Sequence, residues 1–103
     1  MEAVMKLKIL ALCSLALAST MATAESLSEM YPGPWRSGPS QSITKALAEQ
    51  GVEGCKKYRY RVAAKSESEF LVYCYRGGDA KSAYMVWPNI HKVLGPYQPD
   101  SSL

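Results

Sequence analysis

The chain is 103 residues long and 48% hydrophobic, with 12 Lys or Arg against 9 Asp or Glu and a formal net charge of +3. That length has room for one small domain, and so slight a surplus gives no electrostatic case for nucleic acid. The single histidine, His91, has no second metal ligand near it in sequence, so no metal or other cofactor is expected.

Residues 1–24 have the form of a secretory signal peptide. Lys6 and Lys8 make a positive start, 9–18 are apolar, and Ala22-Thr23-Ala24 is a small-x-small cleavage site. Translation from Met5 instead of Met1 would give a more compact positive start. A permanent membrane helix needs about 20 apolar residues. This run is shorter and interrupted by Cys13 and Ser14, so no stable membrane insertion is expected. Leu12 stands where a lipoprotein signal needs a small residue, and Cys13 is therefore read as discarded with the leader. Cleavage after Ala24 leaves a periplasmic or secreted chain. It removes Lys6, Lys8 and Glu2, leaving ten Lys or Arg against eight Asp or Glu. Export argues further against DNA or RNA as a partner.

Residues 25–39, ESLSEMYPGPWRSGP, hold three prolines and two glycines without periodicity, and predict a flexible, extended arm. Trp35 is the odd residue there: it either tucks onto the edge of the domain or stands free as an anchor for a partner. Residues 40–50 predict a helix, with Ser40 placed to cap the first turn. Ile43, Ala46 and Leu47 give it one narrow apolar face, and Gly51 stops it. So short a helix must pack on something to persist. The alternating KYRYRV of 57–62 and the apolar EFLVYCYR of 69–76 predict two strands. GGDAK predicts a turn and SAYMVW a third strand; HKVL adds a short strand or helical turn, Gly95-Pro96 ends the domain, and 97–103 is a tail. The expectation is an α+β domain over 40–96, with one helix on a three- to four-stranded antiparallel meander.

With Cys13 removed, Cys55 and Cys74 form an even count in an oxidising compartment, and predict one disulfide. There is no CxxC pair to suggest redox chemistry. A bridge from the helix end to the middle strand turns Cys74 toward the helix. Strand alternation then places Phe70 and Val72 beside it, with Ala83, Met85 and Trp87 as neighbours from the third strand. Tyr58, Tyr60 and Val62 turn inward on the first strand. The opposite face gathers Arg59 and Arg61 with Tyr73, Tyr75 and Tyr84. Arginine and aromatic residues are enriched at interface hot spots, and guanidinium groups stack on tyrosine rings. Cross-strand Tyr and Arg pairs also stabilise exposed sheets, and a one-residue slip would exchange the two faces.

Catalytic patterns are missing. The sequence has no HExxH, Walker loop or GxSxG, His91 reads as a turn residue, and Glu67 and Glu69 flank a turn. The expectation is a protein that is not an enzyme.

From 43 to 96 the order of elements resembles a PepSY-type domain. ITKALAEQG stands as the leading helix and YMVWPNIHKVLGP as the closing strand and turn, with Val86 and Lys92-Val93-Leu94 matching the family's ending. Trp87-Pro88 replaces the acidic start of that ending, and His91 stands where the family has glycine. The CYRGG turn and YMVW ending also resemble small exported bacterial proteins of unknown function. The PepSY resemblance implies binding or inhibition of peptidases and a role in envelope regulation. The combined expectation is a small exported binding module. It would take a protein partner in the cell envelope, a hydrolase among the candidates, on Arg59, Arg61, Tyr73, Tyr75 and Tyr84. Two alternatives stay open: binding of anionic polymer or lipid head groups through Lys56, Lys57, Arg59 and Arg61, and a structural protein without a defined site. The oligomeric state stays open too.

Overall fold

The computed structural model describes residues 26–103. The expected signal peptide lies outside the described residues. Within them, the chain is α+β: a five-stranded antiparallel sheet in the order β1-β2-β3-β4-β5, two helices and one disulfide. No helix among the described residues is long and apolar enough to cross a membrane.

Helix α1 is a single turn, Leu27–Met30, and β1 is the two-residue strand Arg36–Ser37. Helix α2 spans Gln41–Glu49 and buries Ile43, Ala46 and Leu47, the stripe its periodicity predicts. Its stop is a Schellman motif. Val52 N–H reaches Leu47 O at 3.0 Å and Gly51 N–H reaches Ala48 O at 3.0 Å, with Gly51 at φ +71°. The start differs from expectation, because Ser40 makes no side-chain cap. The Tyr58 hydroxyl, reaching across from β2, takes that place. It accepts the Ser40 N–H at 2.6 Å, donates to the Ser40 carbonyl at 2.9 Å and lies 2.8 Å from Thr44 Oγ1. A buried strand tyrosine thus satisfies a helix terminus that a short polar residue was expected to serve.

Strand β2 is Lys57–Val62, β3 is Phe70–Arg76, β4 is Asp79–Trp87 and β5 is Lys92–Tyr97. A short 3-10 turn, Pro88–Ile90, joins the last two. The Cys55–Cys74 bridge is present, with Cα atoms 4.9 Å apart, and fastens the loop after α2 to the middle strand. On the α2 side the core is Ile43, Ala46, Leu47, Tyr58, Val72, Cys74, Tyr84 and Val86.

Strand β4 departs from the expected facing. Tyr84 and Val86 lie under α2, while Ala83 and Met85 belong to the opposite face. The cause is a bulge. Tyr75 pairs with Ala80, but Cys74 pairs with Ser82, so Lys81 is an extra residue opposite nothing. One inserted residue moves every later side chain to the other face. An unbulged ladder would have carried the expected arrangement.

The arm also departs from expectation. It is not a loose extension: Tyr31 is 0% exposed, and Leu27, Met30, Tyr31 and Trp35 pack on the second face of the sheet with Leu71, Tyr73 and Ala83. Strand β1 pairs with β2, Arg36 opposite Tyr60 and Ser37 opposite Arg59. The Ala64 N–H donates to Met30 O at 2.8 Å. Composition pointed to disorder because prolines and glycines recur without periodicity, but four large apolar or aromatic side chains over a bare sheet face provide the burial that fixes the segment. The tail returns to the same face, where Leu103 joins that cluster.

Candidate functional site

The second face of the sheet carries four of the five residues expected to form a recognition surface. Cross-strand register places Lys57 opposite Tyr75, Arg59 opposite Tyr73 and Arg61 opposite Leu71. Tyr84 is not among them. The bulge sends it to the α2 side, where it is 8% exposed and part of the core.

The four that share the face are not equally accessible. Arg61 lies beneath the arm. Its guanidinium carbon sits 4.5 Å from the centre of the Trp35 ring and its Nη1 donates to Tyr31 O at 3.2 Å. Its Nε is buried without a hydrogen-bond partner. Gly33, at φ +81°, leaves the room this requires, since a Cβ there would stand 3.1 Å from Nη1. Tyr73 is 4% exposed. Its ring meets Trp35 at 4.7 Å with planes tilted by 51°. Its hydroxyl accepts the Asp100 N–H at 2.8 Å and donates to Asp100 O at 3.2 Å. Burial pushes the Tyr73 phenol above its ordinary range. Arg61 and Tyr73 therefore hold the arm and tail in place.

Arg59 and Tyr75 remain accessible on this face. The Arg59 guanidinium is exposed and rests 5.2 Å from the centre of the Tyr75 ring. Tyr75 is half-buried and stands between two grooves. One, of about 340 Å³, is lined by Ser37, Lys57, Arg59, Tyr75 and the Gly77-Gly78 turn. The other, of about 440 Å³, is lined by Trp35, Tyr73, Tyr75, Asp79 and Asp100. Asp100 is anchored: its Oδ1 accepts from Ser102 N–H at 2.9 Å and from Ser102 Oγ at 2.6 Å. Those two bonds hold its carboxyl below the usual carboxylate range.

Trp35, Asp79 and Asp100 were not expected in the site. Trp35 was read either as tucked onto the domain edge or as a free anchor for a partner, and it is tucked, against Tyr73 and Arg61. Asp100 carried a local signal, since Asp two residues before Ser is a common side-chain turn, but nothing in the sequence says that this turn comes back to Tyr73. His91 is a turn residue, as read: it ends the 3-10 turn at φ 52°, and its Nδ1 lies 3.2 Å from Glu49 Oε1 at the end of α2. A further groove of about 560 Å³ runs beside the disulfide, lined largely by Leu47, Ala48, Val52 and Pro39.

Compared with known proteins, the chain matches no family model, no curated relative and no solved structure. The site must be read from its own chemistry.

Proposed function

We propose that this protein is an exported, non-enzymatic binding module that receives a protein partner of the cell envelope on the face around Tyr75. One observation carries the reading: an aromatic ring with an exposed guanidinium against it divides two grooves on a disulfide-pinned sheet. Rings and guanidinium groups are the side chains that most often dominate binding energy, and they do so best when the scaffold holds them still. Among the described residues neither Lys57 nor Arg59 has a carboxylate partner, so both charges are available to a visitor. The PepSY-type resemblance of residues 43–96 points the same way, to a peptidase or similar hydrolase as the partner.

The alternative reading, a basic strip for anionic polymer or lipid head groups, draws less support. It counts on Arg61, which is engaged beneath Trp35, and it sets Asp100 close to the proposed polyanion. Crosslinking capture from periplasmic extract tests the proposal. Tyr75→Ser should reduce capture by about 30-fold or more, the value of one hot-spot side chain, with an unchanged circular dichroism spectrum. Full capture by that variant would defeat the proposal. Capture that survives Tyr75→Ser but collapses between low and moderate salt would favour the polyanion.

A further inference from the structure

The two grooves beside Tyr75 carry opposite charge. Lys57 and Arg59 line the groove on the β2 side; Asp100 is the acidic residue of the groove on the β4 side, with Trp35 and Tyr73 as its aromatic wall, while Asp79, opposite Arg76 in the ladder, belongs to the other face. Both grooves share Tyr75 and Gly78. Gly78 offers no side chain to block the passage between them, and a Cβ built there would meet nothing within 4 Å.

Lys57 and Ala80 lie opposite Tyr75 on its two neighbouring strands. Adjacent strands are about 4.8 Å apart, so a ligand crossing from the β2 groove to the β4 groove spans about 10 Å. An extended peptide covers that distance in about three residues. A ligand bearing only negative charge would gain from Lys57 and Arg59 and be repelled by Asp100. One bearing only positive charge would meet the reverse. A ligand with both, separated by one ring's breadth, satisfies every charge in the two grooves.

We infer that the partner offers an extended segment with a carboxylate and a basic side chain about three residues apart, and that this segment straddles the Tyr75 ring. The inference rests on the proposed role of this face, and adds the chemistry of what it receives. The carboxylate lies against Lys57 and Arg59. The basic side chain lies against Asp100, and an apolar residue between the two charges covers Tyr75. Two of the contacting groups are already positioned: Arg59 by the ring it rests on, Asp100 by Ser102 and by the Tyr73 hydroxyl. Little ordering is then left for the moment of binding.

The chain has two tryptophans, so Trp87→Phe leaves Trp35 as the sole tryptophan reporter in the β4 groove. With the disulfide intact, this protein is titrated with ten-residue peptides followed by Trp35 fluorescence. One peptide carries glutamate and lysine three positions apart with proline between; the others carry two glutamates, two lysines, or neither. The mixed peptide should bind at least tenfold more tightly than the rest. Arg59→Glu should erase the advantage of the peptide glutamate alone, and Asp100→Asn, which keeps an acceptor oxygen for Ser102, that of the peptide lysine alone. Equal binding of the mixed and two-glutamate peptides, or no response to any peptide, overturns the inference. Tyr75→Ser keeps the two levels apart. If it abolishes partner capture while no peptide binds, the face stands and the ligand class is wrong. If capture survives it, the face itself is wrong.

Discussion

Single side chains set two close tolerances in this molecule. Gly38 lies against the Tyr58 ring, and a Cβ at that position would come within 2.7 Å of Tyr58 Cε1. The ring has little freedom to yield, because its hydroxyl is bound to both polar backbone atoms of Ser40 and lies against Thr44. Gly38→Ala should therefore cost about 1–3 kcal/mol, the usual range for overpacking, read as a lower urea midpoint with an unchanged slope. The second tolerance concerns pH. Tyr31 is buried, its hydroxyl donates to Glu69 Oε2, and burial first and Glu69 second push its phenol well above the ordinary range. A tyrosine raised in this way stabilises the fold fully below about pH 10, its unfolded value, and the stabilisation is lost as pH climbs through the folded value. Wild type should thus lose stability on going from pH 9 to more alkaline solution. Tyr31→Phe should show a shallower loss, while at neutral pH it should be weaker by about 1–2 kcal/mol for the orphaned Glu69 contact. Urea titrations of both proteins at several alkaline pH values measure the difference.

At the scale of elements, the parts with strong local periodicity were legible. Strand 57–62 was read to its residue limits, the helix to within one residue at each end, and Gly51 as its stop. The paired cysteines gave the facing of β3, and the preference to bury tyrosine over arginine gave that of β2; together they gave four of the five expected face residues. What could not be read was the bulge. Lys81 looks like any polar residue near a turn, yet it decides whether Tyr84 or Ala83 turns toward α2. The misplacement of Tyr84 follows from that one residue. The bulge also supplies a prediction: deleting Lys81 would leave Tyr75 opposite Ala80 and Cys74 opposite Ser82 in a regular ladder. The core set would be unchanged, so the deletion should shift stability by less than about 1 kcal/mol, as for other surface changes. Inserting an alanine beside Lys81 instead adds a second extra residue to the strand and should be far more damaging. Thermal unfolding of the two variants compares them directly.

Over the whole molecule, the sheet is covered on both faces, and different agents cover them. Helix α2 and the disulfide close one face. The arm, α1 and the tail close the other, and leave open the surroundings of Tyr75; the exposed large apolar side chains lie on the 3-10 turn and β5, where Ile90 is 64%, Leu94 38% and Tyr97 46% exposed. The arm escaped the sequence reading because its burial depends on partners far along the chain, and no local pattern announces them. The bridge spans 19 residues, and a loop of that length is worth about 3 kcal/mol in the chain-entropy model. For a domain this small that is a large fraction of the total. Cys55→Ser with Cys74→Ser should lower the denaturation midpoint accordingly, and a reducing agent should reproduce the effect in wild type only.

Tyr73 is gripped from upstream by Trp35 and from downstream by Asp100. Synthesis proceeds from the amino end. The α2 side of the sheet has all its core residues once Val86 exists. The other side waits for the last four residues, Asp100 to Leu103, to close around that tyrosine. The face proposed to bind is thus the final piece to mature, and a chain interrupted just short of Asp100 would have its α2-side core complete and this face unfinished.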